Sequence, residues 1–175
     1  MSFTSGDAKW QGWVSLAARL IVGAVLIWAG STKVGNLDGS VQATAAYQIL
    51  PYSAAQVVGY GLPFAEIGLG LVLILGLFTR VMGVFAALLM LGFIIAISSV
   101  WARGISIDCG CFGQGGPISP AEAAKQYPWE ILRDIGLMLC SLWLVIIKKP
   151  FIAADTWIFR PVEEIIAKAD NKIRR

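Results

Sequence analysis

The chain has 175 residues, of which 57% are hydrophobic and only 14% are charged, and its net charge is +3. Soluble domains carry about 25% charged residues, so this composition excludes an ordinary soluble protein and predicts an integral membrane protein. The absence of histidine removes the commonest ligand of haem and zinc and the commonest general base. The chain has no basic patch interleaved with aromatic residues on a soluble segment, so no nucleic-acid partner is expected.

Four apolar runs predict membrane-spanning helices, because each approaches the roughly 20 residues that a helix needs to cross a bilayer. They cover about residues 12–32, 56–78, 81–101 and 129–147. Only Thr79 and Arg80 separate the second run from the third, which predicts a tight antiparallel hairpin. We therefore predict an all-α integral membrane protein with a four-transmembrane-helix bundle. Because the first run is long enough to span, it is expected to be a retained signal anchor rather than a cleaved signal peptide.

The positive charges near the ends of these runs predict the orientation in the membrane. If the N-terminus is cytoplasmic, nine Lys and Arg residues lie inside, seven of them after residue 147, and four lie outside: Lys33, Arg103, Lys125 and Arg133. This difference predicts that both termini are cytoplasmic and that the two long loops, about residues 33–55 and 102–128, are exterior. The protein is expected to be a multi-pass protein of the cell membrane, with the lipid bilayer as its first partner.

Three parts are predicted along the chain: a cytoplasmic N-terminus over 1–11, a membrane domain over 12–147 and a basic tail over 148–175. In the tail, Pro161 can occupy the first turn of a helix. Apolar residues follow at helical spacing: Val162, Ile165, Ile166, Ala169 and Ile173. We predict a C-terminal cytoplasmic amphipathic helix on the inner membrane surface, with a docking helix for a partner protein as the alternative.

The second long loop contains two of the three cysteines, Cys109 and Cys111, separated by Gly110. On an oxidising face such a pair tends to form a disulfide, and a bridge across one residue would be strained and labile. Asp108 would repel a thiolate there, whereas Arg103 could offset that charge. The pair is interpreted either as an exchange-active redox pair or as a structural disulfide. Two thiols without histidine do not complete a zinc site, so no metal site is predicted.

Charged residues inside the apolar runs are the second signal, because such groups are costly in hydrocarbon. Arg19 lies about two turns into the first run and Glu66 near the middle of the second, so a charge pair between them is predicted. The alternatives for this pair are fixing the helix register or a role with protons or a quinone. Arg133 and Asp134 lie about one turn into the fourth run, near enough to its outer end to hydrogen-bond the cysteine loop. Cys140, deeper in that run, is predicted to be apolar core filler.

Two groups of residues carry a resemblance to known membrane proteins over about residues 10–147. The first group resembles the pattern of DoxX-type proteins and consists of Arg19-Leu20, Gly23, Gly30, Lys33, Pro63, Glu66, Gly68 and the run Leu75-Gly76-Leu77-Phe78-Thr79-Arg80. The second group resembles the MauE branch of that superfamily and consists of Cys109-Gly110-Cys111-Phe112-Gly113, Trp129 and Arg133-Asp134. The resemblance implies a four-helix membrane protein linked to redox maturation and methylamine utilisation, with relatives beside thioredoxin-like proteins. DoxX-type relatives include a subunit of a thiosulfate:quinone oxidoreductase, which implies a link to quinone.

Two classes of function follow. The first is a membrane thiol–disulfide component, in which Cys109 and Cys111 exchange with an extracytoplasmic thioredoxin-like partner and Asp108, Arg133 and Asp134 support them. One cysteine pair makes a relay rather than a complete oxidase. The second is a non-catalytic accessory or assembly subunit of a larger membrane complex, such as a respiratory one, with the pair as a structural disulfide. No cofactor is expected within the chain, and quinone remains a candidate. Transport is less favoured, because four spans enclose little room.

Overall fold

The protein is mostly helical. A computed structural model describes residues 5–110 and 115–146, with side chains from Trp10 onward. Five helices are described: α1 (Ser5–Val34), α2 (Leu37–Ala46), α3 (Tyr52–Leu75), α4 (Thr79–Ala102) and α5 (Pro120–Ile146). Two short strands, β1 (Ile107–Asp108) and β2 (Gly116–Pro117), pair antiparallel before α5. The predicted amphipathic helix of the tail lies outside the described residues, as does Cys111.

The long helices pack in two pairs, α1 with α3 and α4 with α5, and α1 also contacts α5. Glycines allow the close approach of the first pair. A Cβ at Gly23 would meet the carbonyl oxygen of Gly70, and a Cβ at Gly30 would meet that of Pro63. These contacts set an antiparallel register in which the end of one helix faces the start of the other. The core between the helices is formed by apolar residues such as Val22, Leu73, Ala86, Met90 and Leu144.

The expected hairpin of the second and third runs is only partly present. Three residues, 76–78, join α3 to α4, but each helix packs mainly against another helix. Gly76 and Phe78 both adopt left-handed backbone conformations, with φ of 72° and 48°. The two helices therefore turn back sharply at this end and have few contacts with each other elsewhere.

Three helical segments among the described residues are long and apolar enough to span a membrane: Trp10–Val34, Tyr52–Leu75 and Thr79–Ala102. These spans identify an all-α membrane protein. The fourth predicted span lies largely within α5, whose N-terminal part carries Glu130, Arg133 and Asp134. The four-span count therefore stays a prediction.

The end of the bundle that holds α2 and the two strands is called the loop end below. Its helix α2 was not predicted from the sequence, and it begins where the Asn36 side chain accepts a hydrogen bond from the Gly39 N–H. Helix α5 begins with a capping box, in which the Glu122 N–H donates to the Ser119 hydroxyl and the Ser119 N–H donates to the Glu122 carboxylate. Pro120 is the first residue of the helix. The two ends of the undescribed segment 111–114, Gly110 and Gly115, both lie against the methyl group of Ala43 on α2.

Candidate functional site

The sulfur of Cys109 lies directly after β1 and is bonded to a carboxylate from α5. Its Sγ donates a hydrogen bond to Oε1 of Glu130 at 2.8 Å. Cys109 is buried and Glu130 is half-buried, and Oε2 of Glu130 has no hydrogen-bond partner among the described residues. A carboxylate at this distance can take up a thiol proton or return it. The arrangement is therefore a thiol with its own proton acceptor at the loop end.

Two tyrosines fix the backbone around this sulfur. The buried hydroxyl of Tyr127 accepts a hydrogen bond from the Ile107 N–H and lies 2.9 Å from the carbonyl oxygens of Ile105 and Ile107. The hydroxyl of Tyr47, just after α2, donates to the carbonyl oxygen of Cys109 at 2.8 Å. Since buried backbone groups need partners, these bonds hold β1 in one position. The thiol is thus presented on a fixed backbone.

Charged residues of the loop bond to backbone groups near the thiol. Asp108 accepts a hydrogen bond from the Gly110 N–H at 2.8 Å, which shapes the turn after Cys109. The guanidinium of Arg103 donates to the carbonyl oxygens of Tyr47 and Gln48, and so ties the end of α4 to the segment after α2. These two hydrogen bonds of Arg103 therefore connect the two long loops to each other.

The predicted pair between Arg19 and Glu66 is wrong. Glu66 pairs instead with Lys33, whose Nζ lies 2.7 and 2.9 Å from its two carboxylate oxygens. Arg19 donates to the carbonyl oxygens of Leu73 and Ile74 at the end of α3. The register of α1 and α3 explains this, because it places Arg19 beside Leu73 and Ile74, which lie about 11 Å along α3 from Glu66. Both Glu66 and Lys33 are buried.

A second pair lies close to the first. Arg133 bonds Oδ1 of Asp134 at 2.8 and 2.9 Å, while Oδ2 of Asp134 is buried without a hydrogen-bond partner among the described residues. Glu66, Arg133 and Asp134 line one small cavity of about 10 Å³, close to the space of a single water molecule. Lys33 and Arg133 therefore each have a carboxylate partner within the bundle, whereas the buried Arg19 donates to backbone carbonyl groups.

The remaining predicted site residues are placed as follows. Cys140 is half-buried and packs against the apolar core, as predicted. It lies ten residues after Glu130 on the same helix, roughly 15 Å along the axis, so it is remote from the thiol site. The pairing of Cys109 with Cys111, and the support of the loop by Arg133 and Asp134, stay predictions.

Comparison with known protein families decides the family. The sequence model of the family described as "Methylamine utilisation protein MauE" matches residues 11–147, well over half of the chain. The chain belongs to the MauE family. Neither the curated proteins nor the solved structures contain a match to it. The family description associates this chain with methylamine utilisation, whereas the wider resemblance to DoxX-type proteins stays a prediction.

Sequence reasoning on this MauE-family chain missed two residues of the candidate site, Glu130 and Lys33. Glu130 lies one helical turn before Asp134, so the i, i+4 spacing places both on one face of α5 and was the available signal. Lys33 was named as a flanking charge of the first run and in the DoxX-type resemblance, but not as the partner of Glu66. No cluster of three or more acidic, cysteine or histidine side chains placed to hold a metal occurs in residues 10–110 and 115–146.

Proposed function

We propose that this MauE-family protein is a membrane thiol–disulfide component that oxidises a thioredoxin-like partner outside the cytoplasm. The observation that carries the proposal is the 2.8 Å hydrogen bond from the Cys109 thiol to Glu130. Thiol–disulfide exchange needs a proton to leave one sulfur and reach another, and an adjacent carboxylate provides that transfer. The second thiol of the proposed pair is Cys111, which only the sequence indicates.

The exchange proceeds through a mixed disulfide. A partner thiolate attacks Cys111 of the Cys109–Cys111 disulfide, a new S–S bond forms, and Cys109 leaves as a thiolate that takes a proton from Glu130. The second partner thiol then attacks the mixed disulfide and releases Cys111 as a thiol. The partner loses two electrons and two protons, and the pair gains them. Burial of Cys109 favours it as the inner, leaving sulfur rather than the attacked one.

Trapping of the mixed disulfide tests the proposal. The full-length protein is reconstituted in liposomes, and reduced thioredoxin serves as the dithiol probe of the wild-type disulfide. For trapping, the remaining cysteine of each single variant is first converted to its mixed disulfide with nitrothiobenzoate, which supplies the oxidising equivalents, and a thioredoxin that keeps only its attacking cysteine displaces that group. Cys109→Ser is expected to accumulate the disulfide between Cys111 and thioredoxin, whereas Cys111→Ser is expected to accumulate none. Cys140→Ser, the matched control, should behave as wild type. The proposal fails if both cysteines of the pair remain in one unchanging redox state and thioredoxin is oxidised equally by all variants.

The second class of function is an accessory subunit with a purely structural disulfide. The anchoring of the loop weighs against it, because Tyr127, Tyr47 and Arg103 already hold this segment through hydrogen bonds. A bridge would add little to that restraint. Purification in a mild detergent discriminates the two: a stoichiometric membrane complex that survives the loss of both thiols would favour the accessory role.

A further inference from the structure

A pocket of about 380 Å³ lies beside the thiol, between α2, α3 and α4. Its volume is in the range of small-molecule binding sites. Its walls are almost entirely apolar, and they include Val58 on α3 and Leu88 and Ile95 on α4. These three side chains are exposed on helices apolar enough to span a membrane. The pocket therefore opens towards lipid through the gap that the diverging α3 and α4 leave.

The polar end of this pocket contains Cys109, Gly110, Tyr47 and Lys33. The Lys33 ammonium has three N–H donors, and its two described hydrogen bonds go to the carboxylate of Glu66. One donor therefore remains for a ligand at this end. Because Glu66 neutralises the ammonium, the end offers hydrogen-bond donation without a net positive charge.

We propose that this pocket binds a lipid-soluble quinone, with its head between Lys33 and Cys109 and its isoprenoid tail along α3 and α4. The inference rests on the proposed thiol function, for which it supplies the electron acceptor. A neutral head with carbonyl oxygens matches a neutralised donor better than the phosphate or carboxylate of an ordinary lipid does. Among the described residues, no further cysteine pair could pass electrons on, since Cys140 is remote from the thiol site.

The redox step balances with the quinone as oxidant. The Cys109 and Cys111 thiols lose two electrons and two protons and form one S–S bond, and the quinone gains both and becomes a quinol. Glu130 receives the proton of Cys109 before it passes to a quinone oxygen. The regenerated disulfide can then oxidise the next partner molecule.

Two glycines give a matched test, because an added side chain at either would enter open space. Gly92 lines the pocket, whereas Gly68 on α3 does not. The reduced full-length protein in phosphatidylcholine nanodiscs is mixed anaerobically with a benzoquinone carrying a decyl chain. Quinone binding is measured directly, quinol by absorbance, and the Cys109 thiol by alkylation and mass spectrometry. Wild type is expected to form one quinol for each pair of thiols lost.

Gly92→Leu is expected to weaken quinone binding by about tenfold or more, because the side chain fills the pocket. Ala96→Phe, on the same wall, should do the same, and Gly68→Leu should match wild type. Equal binding by Gly92→Leu and wild type would overturn the inference, as would competition by decanoate as strong as by the quinone itself. If wild type exchanges with thioredoxin but is not oxidised by the quinone, the inference fails and the proposed function stands. If wild type binds the quinone but never exchanges with thioredoxin, the proposed function fails.

Discussion

The ammonium of Lys33 bonds both oxygens of the buried Glu66 carboxylate, at 2.7 and 2.9 Å, across the contact between α1 and α3. The pair fixes these two helices relative to each other at the depth where the proposed quinone head would bind. It also connects the apolar pocket to the small cavity that Glu66 shares with Asp134. One ion pair thus has a structural role and lies at the proposed binding site.

Removing one partner of this pair is expected to destabilise the bundle. Lys33→Met leaves the Glu66 carboxylate buried without a cation, which costs about 3–5 kcal/mol. The double variant Lys33→Met/Glu66→Leu should recover much of the loss, because neither charge remains. The free energy of unfolding in detergent micelles measures both, and the exposed Lys125→Met is the control. Additive losses in the double-mutant cycle would contradict the coupling.

Glu130→Gln is expected to remove the proton acceptor of the thiol and to keep the packing of the side chain, because the amide has the shape of the carboxyl. Partner oxidation should slow by about 100-fold, since general acid–base transfer is lost. The curve of Cys109 alkylation against pH should move to lower pH, since a nearby negative charge disfavours the thiolate. Stopped-flow oxidation of thioredoxin and an alkylation series measure the two effects. An unchanged alkylation curve would leave Glu130 with a packing role only.

Tyr127→Phe is expected to loosen the strand that leads to the thiol. The change leaves the Ile107 N–H buried without its partner, which costs about 1–3 kcal/mol locally. Amide hydrogen exchange of residues 105–109 should therefore accelerate. Tyr60→Phe removes an exposed hydroxyl bonded to Asp38 and should leave that exchange unchanged. Equal protection in both variants would show that other contacts hold β1.

Gly76→Ala is expected to destabilise the turn between α3 and α4 for two reasons. A left-handed backbone costs a non-glycine residue about 1–2 kcal/mol, and the new methyl group would collide with the guanidinium of Arg19. Gly104 has nearly the same φ, 68° against 72°, but open space around it. Thermal unfolding of Gly76→Ala and Gly104→Ala therefore isolates the collision. The same loss in both would mean that Arg19 moves aside at no cost.

The start of α5 is expected to loosen in acid. Hydrogen bonds from the Ser119 hydroxyl and backbone N–H lower the pKa of Glu122 below its ordinary value. The cap's contribution to stability is therefore complete above the ordinary carboxyl pKa and is lost as pH falls through the lowered one. Hydrogen exchange of the first turn of α5, followed against pH, should show this loss. Glu122→Gln should remove the pH dependence, and a persistent dependence would point to another group.

The long helices were predictable because runs of about 20 apolar residues permit little but a helix in lipid. The partner of Glu66 was not, since a hydrophobic run gives the depth of a residue but not the direction in which its helix faces. That direction depends on where Gly23 and Gly30 let α3 approach. Helix α2 is short and its N-cap residue, Asn36, is a weak local signal, so the segment was predicted as part of the first long loop. Glu130 was not predicted either, because its hydrogen bond to the thiol depends on where the loop places Cys109.

The Lys33–Glu66 pair also has a consequence for membrane insertion. During synthesis α1 enters the bilayer before α3 has left the ribosome, so Lys33 at first lacks its carboxylate partner. A lysine near a helix end can meanwhile extend its ammonium to the lipid headgroups. Glu66 must then enter the hydrocarbon region either uncharged or already paired with a cation. The first and second spans are therefore expected to leave the insertion machinery together, with α2 folding between them as the ion pair closes.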